Sequence, residues 1–167
     1  KLLLSGLSPI NWLLHSMNME IEIAPKGDSN DMITLEQRIN LFHLINDVVA
    51  HNIEGSIAEF GCHVGNSATQ IQAILNQANS TKEFHVFDKL DARWETKQKL
   101  IKNFESSNLP LPIIHEGLFS ETVPGELPSK LAFVHIDAGH GGDQVQFMDL
   151  IIFLLENIYK RMTPGAI

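Results

Sequence analysis

Three short stretches of this 167-residue chain bring together residue types that can bind and react. The first is Glu59-Phe60-Gly61-Cys62-His63-Val64-Gly65, followed by Asn66 and Ser67. Glycine at 61 and 65 lets the backbone bend tightly and approach a ligand without a Cβ in the way. A helix opening just beyond the turn would add its free N–H groups and positive dipole end. The second is Asp88. An acidic residue at the end of the next strand of a doubly wound sheet can accept hydrogen bonds from both ribose hydroxyls of an adenosine group. The third is His135-Ile136-Asp137-Ala138-Gly139-His140-Gly141-Gly142. There Asp137 is a hard oxygen ligand suited to a divalent cation, and His140 is a base that titrates near neutral pH.

Each stretch also has a plainer reading. Glycines occur at strand–helix turns for steric reasons alone, an Asp at a strand end is commonly just solvated, Asp137 can cap a following helix, and a loop histidine needs no task. The joint occurrence of the glycine turn and Asp88 favours a nucleoside cofactor. The Gly-x-x-x-Gly spacing departs from the Gly-x-Gly-x-x-Gly of dinucleotide sites, which argues against a nicotinamide-dependent reductase.

The elements that must position these residues alternate between strand and helix. Thr34 with Gln37 three positions on forms a capping box, opening a helix with Leu35, Ile39, Phe42, Ile45 and Val49 on one apolar face. Gly55 ends it, and Ser56-Ile57-Ala58-Glu59-Phe60 reads as a short buried strand. A helix runs from Asn66 to about residue 79, with Ala68, Ile71, Ile74 and Leu75 inward. Strands follow at Glu83-Phe84-His85-Val86-Phe87-Asp88, at Pro112-Ile113-Ile114-His115 and at Leu131-Ala132-Phe133-Val134-His135-Ile136. Between the first two lies a helix over roughly residues 93–106, with Trp94, Leu100, Ile101 and Phe104 inward. The last helix, about residues 144–161, is expected to turn Val145, Met148, Ile152, Leu155 and Tyr159 inward. Strand runs apolar on both faces suit a covered parallel sheet with right-handed crossovers.

The chain is 44% hydrophobic and 19% charged, which places it among globular rather than disordered proteins. Its net charge of −8, with no Lys/Arg run, argues against a nucleic-acid partner. Cys62 is the only cysteine and cannot form an internal disulfide, so a reducing cytoplasmic setting is expected. The apolar N-terminal stretch is broken by Ser5, Gly6, Ser8, Pro9 and Asn11, too short and interrupted to span a bilayer. No small-residue cleavage site follows it, so it reads as a short packing helix or interface segment rather than a signal peptide, and no membrane partner is expected. The polar residues 25–31 read as a linker, dividing an appendage (1–31) from the main domain (32–167). Ile10, Trp12, Leu13 and Leu14 leave two uses open: covering the core, or meeting a second copy in a homo-oligomer. Pro164-Gly165-Ala166-Ile167 reads as a helix stop followed by a new strand, so the domain is expected to be cut before its last strands.

From Met32 onward the chain resembles the macrocin O-methyltransferase family. The resemblance rests on Arg38-Ile39-Asn40-Leu41-Phe42; on residues 53–67 around Glu59-Phe60-Gly61; on Val86-Phe87-Asp88; on Glu116-Gly117-Leu118-Phe119-Ser120-Glu121-Thr122-Val123-Pro124; on His135-Ile136-Asp137-Ala138; and on Met162-Thr163-Pro164-Gly165. It implies a Rossmann-like class I methyltransferase fold: a mostly parallel sheet with helices on both faces. The implied activity is transfer of a methyl group from S-adenosylmethionine to a hydroxyl of a small molecule such as a sugar or secondary metabolite. The resemblance further implies that Glu59, Gly61, Gly65 and Ser67 surround the methionine part of the cofactor. Asp88 would hold the ribose, and Gly117, Leu118 and Phe119 would lie near the adenine. Asp137 would be a magnesium ligand beside the transferred methyl. Glu54 and Asn66 replace a Pro and a Gly of the family pattern. Gly139 stands where the family carries a second Asp, and Gly139-His140 is similar to a neighbouring group with Asp-Gly-x-His. Asp137 and His140 are therefore the catalytic candidates, and a non-catalytic methyltransferase-like module that binds a nucleoside or a partner is the alternative.

Overall fold

The computed structural model describes residues 33–139 and 144–167. The chain divides into two units, Lys1–Asp31 and Met32–Ile167, and the architecture below is that of the second. The N-terminal appendage and the His140 loop lie outside the described residues.

Helix α1 (Leu35–Ala50) starts at the expected capping box. The Thr34 hydroxyl accepts from the Gln37 N–H at 3.2 Å, and the Gln37 side chain accepts from the Thr34 N–H at 2.8 Å. Strand β1 (Ser56–Phe60) is buried at all five positions, and α2 (Asn66–Gln77) follows the glycine turn. Then come β2 (Phe84–Asp88), α3 (Thr96–Ser106), β3 (Ile113–Glu116), α4 (Phe119–Glu126), β4 (Leu131–Ile136) and α5 (Gln144–Ile158). The four strands are parallel in the order β3-β2-β1-β4. The chain builds outward from β1 to β3, then returns to the other side of β1 for β4. That reversal between β1 and β4 is where ligands of doubly wound sheets bind.

Alternate side chains of β1 feed two apolar layers. Ile57 joins Leu41, Ile45, Val48, Ile71, Leu75, Leu100 and Phe104 beneath α1, α2 and α3. Ala58 and Phe60 join Phe87, Val123, Leu127, Leu154 and Ile158 beneath α4 and α5. Right-handed crossovers require this division: connections running leftward from β1 cover one face, and those running rightward cover the other. Past α5, the Ile167 N–H donates to the Ala132 carbonyl at 3.1 Å and the Val134 N–H to the Ile167 carbonyl at 2.8 Å. With the parallel bridge between Leu131 and Met162, these place the last residues beside β4.

Three helical expectations are corrected. In α1 the buried residues are Leu41, Ile45 and Val48, while Leu35, Ile39 and Phe42 face outward. In α5 the expected stripe is on the outside, with Val145, Met148, Ile152, Leu155 and Tyr159 exposed and Leu154 and Ile158 buried. Both helices carry apolar residues around most of their circumference, so periodicity leaves the phase open and contact with the sheet selects it. Trp94 belongs to a separate 3₁₀ turn, Ala92–Trp94, and is exposed. The Asp91 carboxylate accepts from the Arg93 N–H at 2.9 Å, an Asx turn that holds this piece apart, and Glu95 at φ 52° breaks the path into α3. Helix α4 was not anticipated, because Pro124 and Gly125 within eight residues mask its periodicity.

The phase of α5 is testable by urea denaturation. Leu154→Ala should cost about 2–5 kcal/mol, as for a fully buried leucine, whereas Leu155→Ala next to it should change stability by less than about 0.5 kcal/mol. Equal losses would contradict the observed packing.

Candidate functional site

Every described residue singled out for chemistry lies at or just beyond the C-terminal ends of the strands. The glycine turn leaves β1, Asp88 ends β2, Gly117 follows β3 and Asp137 follows β4.

The turn is held from both sides. The Gly61 N–H donates to the Phe87 carbonyl and the Asp137 N–H donates to the Phe60 carbonyl, both at 2.9 Å. Gly61 has φ 89°, and a Cβ there would sit 2.4 Å from the Asp137 carbonyl oxygen. Gly65 has φ 85°, and its Cβ would meet Leu100 of α3 at 2.3 Å. Both glycines are therefore required by the fold itself: one lets β1 and β4 leave the sheet side by side, the other seats α3 against the turn. Gly65 also precedes α2 without offering a side-chain cap.

Asp88 spans the crevice expected between it and the turn. Its Oδ2 accepts from the His63 N–H and its Oδ1 from the Leu90 N–H, each at 2.8 Å. His63 and Leu90 both have left-handed backbone, with φ 47° and 48°. Such conformations cost a non-glycine residue roughly 1–2 kcal/mol, and Leu90 is also buried. One carboxylate thus holds two strained turns in place. A carboxylate has about four acceptor positions, so each Asp88 oxygen retains capacity for a further donor. The Asp88 carbonyl accepts from the Gly117 N–H at 3.0 Å, linking the third loop to the same point.

Beneath the turn lies a buried charged pair. Glu59 is fully inaccessible, and its Oε1 accepts from His135 Nδ1 at 2.8 Å across the β1–β4 register. Its Oε2 is buried with no hydrogen-bond partner among the described residues. Burial raises the Glu59 carboxyl above its ordinary value, opposed by His135 and Ser67. Burial draws the His135 imidazole down, but Glu59 and Asp137 outweigh it and leave the group raised. His135 was quoted in the sequence motif without a role. Its signal was there, since a lone carboxylate inside an apolar strand needs a partner, and the adjacent strand carries one histidine at the matching position.

Ser67 is buried at the start of α2 near Glu59. Leu118 is exposed, and its N–H is held by Glu121 at 3.1 Å. The Phe119 ring turns into the lower core, edge-on to Phe60 at 6.0 Å. Asp137 is exposed, and Gly139 beside it has open space around it. Among the described residues no three His, Cys, Asp or Glu side chains are placed to hold a metal ion. His140 lies outside the described residues. A cleft of about 340 Å³ between α1, α2 and the end of α3, lined by Arg38, Thr69, Gln70 and Ser107 among others, lies in the helix layer; Asn66 is its link to the turn.

No protein-family model matches the chain, and no curated protein matches it in sequence. Solved structures do. The O-methyltransferase NovP superposes with a TM-score of 0.65 at 20% identity, covering 81% of this chain and 64% of that one. Cofactor-bound Rv0187 from MTB gives 0.56 at 14%, covering 92% and 61%. The N-terminal domain of human METTL16 in complex with SAH gives 0.54 at 18%, covering 90% and 60%.

The fold is that of a class I methyltransferase.

The chain spans slightly under two thirds of the length of each of these structures. Among the described residues no helix is long and apolar enough to cross a membrane.

The clamp at Asp88 can be tested without any ligand. Asp88→Ala leaves the His63 and Leu90 N–H groups without their acceptor and should lower unfolding stability by about 1–3 kcal/mol. Unchanged stability would show that the two turns hold themselves.

Proposed function

We propose that this chain is the S-adenosylmethionine-binding part of an O-methyltransferase of the macrocin type, acting on a hydroxyl of a small molecule. The observation that carries the reading is the convergence of Glu59, the glycine turn and Asp88 at the β1/β4 reversal. The fold it shares with the O-methyltransferase NovP supports the same reading.

The residues fit the cofactor. Asp88 has acceptor capacity left for the two ribose hydroxyls, and its existing bonds fix it in position. Gly61 and Gly65 set the path of the turn along which the methionine part would lie, with Glu59 and Ser67 beneath. Gly117 and Leu118 would border the adenine; Phe119 would support them from the core through Phe60. The exposed Asp137 carboxylate, beside the buried Glu59–His135 pair, gives this corner a negative field. Such a field suits a ligand whose ammonium and sulfonium groups are both cationic.

When bound, S-adenosylmethionine supplies an electrophilic methyl group on a sulfonium. The protein must then hold an acceptor oxygen in line with it, and positioning of this kind is worth roughly 7–11 kcal/mol. A hydroxyl also has to lose its proton. His140, just beyond Asp137, is the proposed acceptor of that proton, a role typically worth about 10²–10⁴ in rate. Magnesium does not fit the described donor set, in which Asp137 is a single exposed carboxylate, and no step is assigned to it. The replacement of a second Asp by Gly139 supports another reading, in which the domain binds the nucleoside and transfers nothing.

Isothermal titration with S-adenosylmethionine, its demethylated product and NAD tests the cofactor assignment. The first two should bind and NAD should not, and Asp88→Asn should weaken binding by about 10- to 100-fold, the loss of one or two charge-assisted hydrogen bonds. An absence of S-adenosylmethionine binding ends this reading. Mass spectrometry of hydroxylated acceptors then separates transfer from binding alone, with His140→Ala lowering turnover more than affinity.

A further inference from the structure

The face of the sheet under α4 carries a continuous polar chain that lies outside the proposed site. Glu83 Oε2 lies 3.6 Å from His85 Nε2, His85 Nδ1 lies 3.0 Å from His115 Nε2, and His115 Nδ1 lies 2.6 Å from Glu126 Oε2. Glu83 precedes β2, His115 is on β3, and Glu126 is the last residue of α4. The two imidazoles are nearly buried, with side chains 9% and 11% exposed, whereas both carboxylates are largely open to solvent. The two imidazole planes lie 14° apart with centroids at 5.3 Å, end to end as an in-plane N–H···N bond requires, and His115 lies flat on Phe87 at 4.1 Å.

Donor and acceptor rules give this chain a direction. A carboxylate only accepts, so His115 Nδ1 carries the proton that meets Glu126. In the neutral ring His115 Nε2 is then the acceptor, and His85 Nδ1 must donate to it. That leaves His85 Nε2 bare, and it is indeed buried without a hydrogen-bond partner. One added proton is accommodated: with both His115 nitrogens protonated, His85 Nδ1 becomes the acceptor and its Nε2–H turns toward Glu83. A second proton is not. It puts N–H groups on both facing nitrogens, and the link between β2 and β3 is lost.

We propose that His85 and His115 form an acid-released latch that holds the C-terminal end of α4 against the sheet through Glu126. Burial, and the neighbouring His115, push the His85 imidazole below its ordinary value, so the folded protein resists the second proton. The sign follows. The unfolded chain takes up that proton first, and the stabilising contribution, intact above the usual imidazole range, is lost as pH falls through it. Other charges nearby are committed elsewhere. Glu121 turns back to the Leu118 N–H, Glu116 pairs with Lys97, Lys130 pairs with Glu54, and Arg161 binds the Leu127 and Pro128 carbonyls. Strand β1 presents only Ala58 beside His85. Because α4 begins next to Gly117, which is bound to Asp88, opening the latch loosens one wall of the crevice.

Amide hydrogen exchange across α4, corrected for intrinsic rates, tests this at about pH 7.5 and about pH 5.5, which bracket imidazole titration. In the unaltered protein, α4 protection should fall about tenfold at the lower pH while β1 stays protected. His85→Phe keeps an aromatic ring at this place without the proton site, so its α4 protection should not change with pH. Glu126→Ala removes the acceptor at an exposed position and should give weak α4 protection at both values. Nitrogen-15 shifts of the imidazoles should show both Nδ1 atoms protonated at the higher pH. The proposal fails if α4 protection is independent of pH, or falls equally in His85→Phe, or if His85 is protonated at Nε2 alone. No arm of the test uses a ligand, so its outcome is independent of the cofactor assignment.

Discussion

The C-terminal edge of the sheet depends on the bonds from Asp88 to the His63 and Leu90 amides. Both amides belong to residues in left-handed backbone. A charge-assisted bond to a backbone N–H is stronger than a neutral one, so a single carboxylate can stabilise two strained turns. The consequence is geometric. The loop after β1 and the loop after β2 cannot move independently, and through the Asp88 carbonyl the loop after β3 is tied to them. Strain held in place by surrounding structure is characteristic of binding sites, and here it sits where a doubly wound sheet changes direction.

Glu59 and His135 add a second constraint from below. Glu59 is fully buried and His135 partly so, and removing one partner of a buried pair costs roughly 3–5 kcal/mol because the other is left uncompensated. Their contact welds β1 to β4 one residue before the turn, and the Gly61–Asp137 approach continues the seam above it. The outcome is a rigid floor with a polar character, in which the remaining oxygen of Glu59 has no hydrogen-bond partner among the described residues. The opposite face of the sheet is organised differently. Phe60, Phe87 and His115 occupy matched positions on β1, β2 and β3 and stack in sequence, with centroids 4.9 Å and 4.1 Å apart. Aromatic contact across the strands on that face leaves the polar work to the two histidines at its edge.

The strand segments were legible because parallel strands buried on both faces must be short continuous apolar runs. Residues 56–60 and 131–136 have that pattern without ambiguity. The capping box at Thr34 was equally plain, since its two hydrogen bonds need only residues three positions apart. The acidic and glycine residues at the strand ends followed from the same reading: their places are set by the strands that precede them. Helix phase was not legible. In α5, Val145, Met148, Ile152 and Leu155 flank one side of a polar strip of Gln146, Asp149, Glu156 and Asn157, and Leu150, Leu154 and Ile158 flank the other, so two apolar stripes compete on equal terms.

What the amino-acid sequence determined by itself was local: which segments extend, where the backbone must turn, and which acidic groups stand at the turns. Tertiary structure decided everything that depends on two distant segments meeting. It paired Glu59 with His135 across 76 positions, turned Leu154 rather than Leu155 inward, and brought His85, His115 and Glu126 into one chain. The physical reason is the same in each case. Hydrogen bonds and apolar contacts between remote residues exist only once the strand order and crossover handedness are settled, and no window along the chain contains that information.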